Sequence, residues 1–527
     1  MVISERLLSP AAQEICDDID NDCDDLVDDA DPSVTGQTSY YADKDGDGYG
    51  AGTATLSCDV VAGKVLNKTD CNDGNASVNP ASGGCDISLT DADAFLTGDG
   101  GGSDAGEFLA AAGDVNGDGY GDFLVGAYGT APNGEGEAYL VSGPVSGASS
   151  LTTASADVYG ATHYAYAGTG VAGLGDVNGD GYDDVAIGLG GPDTVAIFLG
   201  PLSGTYSSAA ADSDVTVPTL GTLAAAGDVD GDGAPDLLVG FAYDGTMGTN
   251  SGVVYLVTAP TSGSTDSSSA TATIYGEGAD DQAGYSIEGA ADFDGDGLDD
   301  VLIGAPYYSA DAGENYEGAA YIEFGPVAGT VGLADADAKL VGQARSDNAY
   351  SFPKGDYAGI SLGSAGDVNA DGYADIVVGG DDGGWNYSGI VYLELGPPAS
   401  GPLVDADAVI GDSYSTQGYL GRSVSAAGDV DADGYADVLV NATNNEDDTD
   451  AYGNTYMFLG PFSGALDARN ANATLVGTTK YGGRNQIVSP AGDIDADGRD
   501  DILIGAWDDS TAGSYAGAVW LFSGSNF

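Results

Sequence analysis

GDVNGDGYGDFLVGA, residues 113–127, is an acidic loop that runs straight into an apolar strand, and close copies of it return six more times before the chain ends. The loop reads D-x-[DN]-x-D-G-x-x-D. It starts at Asp114, Asp176, Asp228, Asp292, Asp367, Asp429 and Asp493. Oxygen side chains at positions 1, 3, 5 and 9, with the main-chain carbonyl of position 7, form the donor set of a hard cation, and calcium takes about six to eight such oxygens. The predicted ligands are Asp114, Asn116, Asp118, Tyr120 and Asp122 in the first loop, and Asp176, Asn178, Asp180, Tyr182 and Asp184 in the second. Asp228, Asp230, Asp232, Ala234 and Asp236 follow, then Asp292, Asp294, Asp296, Leu298 and Asp300, then Asp367, Asn369, Asp371, Tyr373 and Asp375. Asp429, Asp431, Asp433, Tyr435 and Asp437 make the sixth set, and Asp493, Asp495, Asp497, Arg499 and Asp501 the seventh. Position 6 is always glycine, as expected where the chain turns sharply with positive φ. For one such loop an ordinary Asx turn stands as an alternative to a metal site. Seven intact copies point to about seven calcium ions, whose first role is to brace the fold.

The 527 residues carry a net charge of −72, from 84 acidic against 12 basic residues, and the loops explain only part of it. Nucleic acid and anionic lipid are bound through Lys and Arg, so this surface repels both. All five cysteines, at 16, 23, 58, 71 and 85, fall at the start of the chain, which marks a boundary between residues 1–85 and 86–527. Their interleaving with Asp suggests local disulfides in an oxidising compartment rather than a zinc site, and the odd count leaves one thiol over. No run of about 18 apolar residues offers a membrane span. The opening MVISERLLSPAAQEIC lacks the apolar segment of a secretory signal, so an extracellular or cell-surface protein with a misplaced start, or an exported fragment, is expected.

The first 85 residues hold weaker versions of the same loop. Asp20, Asp22, Asp24 and Asp28 keep the ligand spacing with Asp25 where glycine belongs, and Asp43, Asp45 and Asp47 form a half-site with Ala51 at position 9. They add one or two possible calcium sites. EICDDIDNDCDD, YYADKDGDGYG and TDCNDGNASVNP, taken together, resemble the MopE-type metal-binding repeats of secreted bacterial proteins.

From residue 86 a longer period takes over, with loop starts between 52 and 75 residues apart. Each acidic loop leads into a β-branched run such as DFLVGA or DVLIGAP, followed by a second strand such as GEAYLVSGP and a third motif such as ADVYG. The strand entering the loop is the fourth. Seven such units without helices predict an all-β fold, a seven-bladed β-propeller. The last unit stops after GAVWLFSG and lacks its outer strand, while LTDADAFLTG (residues 89–98) reads like GLADADAKLVG (332–342). The N-terminal strand is therefore expected to close the ring. Closure protects the blade edges.

GRSVSAAGDVDADGYADVLVNA (421–442) and ADFDGDGLDDVLIGAP (291–306) resemble the FG-GAP repeats that form the propeller of integrin α-chains, and the likeness runs over residues 89–527. It implies that the acidic loop joins the first two strands of each blade, with calcium on one face and ligands meeting the other. The sequence departs in its opening Phe-Gly, mostly replaced as at Leu420-Gly421, and in having all seven loops metal-competent. Leg domains and a membrane span are not in it.

No odd-one-out constellation of acid, base and nucleophile stands among the seven similar units, so no enzyme is expected, although propellers do host hydrolases and lyases. His163 has no motif around it, and Lys354-Gly355-Asp356 is a three-residue match to an adhesive tripeptide, expected by chance. The loops opposite the acidic ones carry Tyr128, Tyr164, Tyr166, Tyr243, Tyr307, Tyr308, Tyr316, Trp385, Tyr387, Tyr452, Trp507 and Tyr515. Tyr and Trp offer rigid contact area to a glycan or a surface protein, or pack between blades. The insert QARSDNAYSFPKGDYAG (343–359) adds Arg345 and Lys354, rare positive charges suited to an acidic sugar. A recognition or adhesion module is the leading reading, with a calcium-braced matrix or surface-layer protein as its alternative.

Overall fold

The structure, a computed structural model, describes residues 85–527 apart from 131–132, 259–260, 311–314, 345–354, 383–387, 413–417, 444–452 and 478–485, together with residues 16, 26, 34–35, 37–42, 51–58 and 60–65. The chain divides into two compact units, Met1–Ile87 with Asn470–Ala473 and Ser88–Arg469 with Thr474–Phe527. In the first, Thr38–Ala42 is the central strand of a small sheet, flanked by Ala51–Ser57 and Lys64–Val65. A disulfide joins Cys16 to Cys58. Asp20, Asp22, Asp24, Asp28, Asp43, Asp45 and Asp47 lie outside the described residues.

The larger unit is a propeller of seven sheets. In the first blade Phe108–Gly113 is innermost, followed outward by Asp122–Ala127, Glu137–Ser142 and Ala156–Tyr159, all antiparallel. Every residue of Asp122–Ala127 is buried, because both faces of this strand pack against neighbouring blades. That two-sided burial is why the second strands read as continuous apolar runs instead of alternating. Apolar clusters fill the wedges between blades: Leu124, Leu140 and Val158 of the first blade meet Val185, Ile187 and Phe198 of the second. The innermost strands are rich in Gly, Ala and Ser because blades converge toward the axis. A Cβ on Gly173 would lie 2.3 Å from the Ala111 carbonyl oxygen, and one on Gly289 would lie 2.6 Å from Ala226 Cα.

Ring closure follows the expected route. Ala94–Thr97 pairs antiparallel with the last strand, Ala518–Phe522, in the register Ala518↔Thr97 to Leu521↔Ala94. Asp93 Oδ2 accepts from Ser523 N at 2.8 Å and from Asn526 Nδ2 at 2.6 Å, and the Phe95 and Trp520 rings lie 5.3 Å apart. One feature differs from the four-stranded expectation. In six of the seven blades a short strand from the following blade pairs parallel with the outer strand, as Gly204–Ser207 does with Ala156–Tyr159. The chain leaves such a strand through a tight 3-10 turn, as at Leu151–Thr153, where Ser150 Oγ accepts from Thr152 N at 3.3 Å. Sequences such as GASS carry no β-branched alternation, and their pairing comes from the neighbouring blade.

Candidate metal loops and the opposite face

All seven acidic loops connect the innermost strand of a blade to the second, at one end of the propeller. Their local fold is built by the main chain. Glycine at position 6 has φ between 88° and 95°, as in Gly119, Gly372 and Gly498. The position 1 carboxylate accepts from the position 6 N–H, as Asp114 Oδ2 does from Gly119 at 2.9 Å. The position 5 carboxylate accepts from the position 7 N–H, from Asp118 to Tyr120 at 3.1 Å through Asp497 to Arg499 at 3.0 Å. Position 9 is buried throughout: Asp122, Asp184, Asp236, Asp300, Asp375 and Asp437 are 0% exposed and Asp501 is 1% exposed. Each accepts from the position 2 N–H, and most accept again from a glycine after the third strand, as Asp300 does from Phe293 at 2.7 Å and Gly325 at 2.8 Å.

The loops bring carboxylates together in four blades. Asp228, Asp230 and Asp236, Asp292, Asp294 and Asp300, and Asp429, Asp431 and Asp437 gather positions 1, 3 and 9, while Asp493, Asp495 and Asp497 gather positions 1, 3 and 5. In each group the ligand oxygens lie within 4.8 Å of one another. The other three loops have Asn at position 3. Asn116 leans its amide nitrogen to Asp122 at 3.4 Å, Asn178 to Asp180 at 3.1 Å and Asn369 to Asp371 at 2.9 Å. The donor sets fit a hard cation on a second count: Asp228 Oδ1, Asp236 Oδ1 and Asn178 Oδ1 are buried without a hydrogen-bond partner among the described residues. A buried oxygen left so is costly unless something positive meets it. Burial first, then neighbouring Asp230, pushes Asp236 up to about 7, and burial pushes Asp437 to about 7 and Asp122, Asp300, Asp375 and Asp501 to about 6. A bound cation inverts that field.

Adjacent loops are also tied to one another. The position 8 N–H of one loop donates to the position 1 carbonyl of the loop before it: Asp183 to Asp114, Asp299 to Asp228, Ala374 to Asp292, Ala436 to Asp367, Asp500 to Asp429 and, across the closure, Gly121 to Asp493, at 3.0 to 3.3 Å. The remaining junction has Pro235 at position 8, which has no N–H to give. Asp183, Asp299 and Asp500 add a second tie, their carboxylates accepting from Asp114 N, Asp228 N and Asp429 N at 2.7 to 2.9 Å.

At the other end of the blades the tyrosines fall into two kinds. Tyr164, Tyr166, Tyr243 and Tyr515 are exposed. Tyr128 donates to Glu107 at 2.9 Å, and Tyr308 packs on the core beneath Lys339, whose Nζ sits 3.8 Å from its ring centre. Tyr307 is the hub of a cluster, with Tyr357 at 5.3 Å, Tyr316 at 5.7 Å and Tyr285 at 6.5 Å between ring centres. Arg422 pairs with Asp381 at 2.7 Å beside it, and its charge reaches Tyr285 and Tyr307. Trp507 stacks on Tyr515 at 6.0 Å. Trp385, Tyr387, Tyr452, Arg345 and Lys354 lie outside the described residues.

The FG-GAP repeat family matches residues 105–141, 283–322 and 486–522, and the FG-GAP-like repeat family matches residues 176–239. The chain carries FG-GAP repeats. In this light the replaced opening dipeptide is explained: Ala105-Gly106 and Ala283-Gly284 keep the glycine, at φ of 89° and 82°, because its Cβ would meet the neighbouring blade. The preceding alanines make parallel bridges to Gly517 and Gly252, so this FG-GAP segment seals one blade to the next. The chain is similar to integrin alpha-PS2 of Drosophila melanogaster, 34% identical over 168 residues, 31% of this chain and 12% of that one. Integrin alpha pat-2 of Caenorhabditis briggsae is 29% identical over 251 residues, 44% and 18% of the two chains, and integrin alpha-IIb of Mus musculus 38% over 143 residues, 24% and 14%. The chain thus spans less than a fifth of the length of these relatives. Arg422, Asp381 and Tyr357 escaped sequence reading because they meet their partners across blades, and Tyr285 because it faces Tyr307 of its own blade from the far end of a strand pair; Tyr285 and Tyr357, beside Gly284 and Gly359 of FG-GAP openings, carried the available signal. Among the described residues no helix is long and apolar enough to cross a membrane.

Proposed function

We propose that this protein is a calcium-binding recognition module of the cell exterior or surface, in which the seven acidic loops hold calcium and the opposite face meets a glycan or a surface protein. The observation that carries the reading is the hub of Tyr285, Tyr307, Tyr316 and Tyr357 beside the Arg422–Asp381 pair, set at the end away from the acidic loops. Stacked and edge-on rings beside a guanidinium whose charge Asp381 balances offer apolar faces and hydroxyl donors, a combination suited to a glycan or a protein surface. Calcium supplies the charge that the carboxylate-lined loops lack. Asp228, Asp230 and Asp236 and their equivalents would hold it, while Gly233 and its equivalents keep the loop turned around the site. Residues 1–85 are proposed as a separate Cys/Asp-rich segment with metal sites of its own. Similarity to integrin α-chains favours binding over catalysis.

The test is a glycan-array and surface-protein screen in calcium and in chelator, repeated with Tyr307→Ala and Arg422→Ala. Binding that needs calcium and falls at least tenfold in both variants is expected. Binding indifferent to both substitutions would remove the proposed face, and calcium-driven assembly without ligand binding would favour the matrix role.

A further inference from the structure

All seven innermost strands line one cavity of about 340 Å³ on the propeller axis. Cross-strand register fixes which residues share a level: Ala110 pairs with Leu124, Ala172 with Ala186, Ala224 with Leu238, Glu288 with Leu302, Gly363 with Val377, Ser425 with Leu439 and Ser489 with Leu503. Each partner lies two residues after a position 9 Asp. At this level six blades present Ala, Gly or Ser, as the convergence of the strands requires, and the fourth presents Glu288. Packing does not call for a glutamate there. Among the described residues it is the only ionisable group lining the cavity, and while its main chain pairs with Leu302, its carboxylate makes no hydrogen bond or ion pair with another described residue. Ser425 and Ser489 donate to the carbonyls of Ala426 and Pro490 beside them.

Glu288 is half-buried, so a carboxylate so placed keeps only part of its hydration and is favoured by a positive partner. A divalent hard cation wants about six oxygens, which this lining does not supply. An organic ammonium brings one charge and an apolar body, and Leu109, Val171, Leu223, Leu362 and Val424 offer that body an apolar wall. The volume lies at the lower end of small-molecule sites, roughly 300–1,000 Å³. We propose that the axial cavity binds a small primary amine, its ammonium paired with the Glu288 carboxylate and its aliphatic or aromatic body held by the surrounding Leu, Val and Ala side chains. Burial pushes the Glu288 carboxyl up to about 7, the direction expected of an acid that lacks its counter-charge. The inference is independent of what meets the outer face.

Calorimetric titration of the full chain with n-butylammonium and benzylammonium, against n-butanol and benzyl alcohol, tests it. Millimolar calcium and pH 8 keep the acidic loops occupied and Glu288 ionised. One saturable site is expected, with the alcohols at least tenfold weaker, and with at least a tenfold loss in Glu288→Gln. Ala224→Leu, which fills the cavity and keeps the carboxylate, should lose binding to the same extent, and it decides the matter if Glu288→Gln fails to fold by thermal melting. No ammonium binding by the unmodified chain, alcohols that bind as well, or binding retained when the cavity is filled would each overturn the proposal.

Discussion

The carboxylates of one acidic loop are not equivalent. Asp300 is buried and accepts from two main-chain donors, Phe293 N and Gly325 N. Asp296 is exposed and accepts from Leu298 N at 2.9 Å. Removing Asp300 strands both N–H groups, at about 1–3 kcal/mol each when buried, so Asp300→Ala is expected to destabilise the metal-free protein by about 2–6 kcal/mol. Asp296→Ala should change it by about 0.5 kcal/mol or less. In calcium each substitution should lose one ion by metal analysis, and urea denaturation with and without calcium separates the two effects. Position 4 gives a second residue-scale prediction. Four loops place glycine there, with φ of 77° at Gly231, but Ala370, Ala432 and Ala496 occupy the same left-handed region at 58°. A Cβ is disfavoured there by roughly 1–2 kcal/mol, partly offset by the greater freedom of glycine in the unfolded chain. Ala432→Gly is therefore expected to stabilise by about 0.5–1 kcal/mol in thermal melting.

An acidic loop with its two flanking strands titrates as an element. Burial holds the position 9 carboxyls at about 6 to 7 in the fold, as in Asp437 and Asp501, against about 3.9 for an unfolded Asp. The folded state therefore keeps its protons over a window in which the unfolded state has lost them. Stability from these groups is fully present below about pH 4 and is lost as pH rises through 6 to 7. Calcium needs the ionised form and reverses the slope. Melting of metal-free protein should thus fall from pH 5 to 7.5, while melting in millimolar calcium should hold or rise; parallel curves would show that the buried carboxyls are not what the cation meets. At this scale the sequence was most legible. Ligand spacing and the runs behind it, such as DVLIGAP, located loop and second strand, because burial on both faces leaves an apolar run that nothing else explains. The parallel strands such as Gly204–Ser207 and the loop-to-loop ties through Asp183 and Asp500 were not legible, since each depends on a residue in the next blade.

Over the propeller, closure makes seven similar units one body, and its strand pairing rests on four residues from the start of the propeller, with further ties at Asp93, Ala105 and Gly121 beside them. Ala94–Thr97 covers the edge of Ala518–Phe522, and Ala94 and Leu96 enter the same apolar cluster as Leu503 and Val519 of the last blade and Phe123 and Val125 of the first. The sequence made this visible because LTDADAFLTG repeats the motif missing from the last unit, whereas the axial Glu288 stayed hidden until register placed it among six small residues. Removing residues 1–85 leaves Ala94–Thr97 in place, so that truncation is expected to remain a folded monomer. Removing residues 1–98 uncovers a full row of main-chain donors and acceptors on an apolar strand, an edge that pairs readily with other chains, and opens the wedge between the last and first blades. That truncation should oligomerise in light scattering, and hydrogen exchange at Ala518–Phe522 should rise sharply relative to the second strand Asp236–Phe241, which lies in a blade far from the gap. Equal mass and equal exchange in the two truncations would mean that the ring holds without its N-terminal strand, and that the wedges between blades, not closure, set its stability.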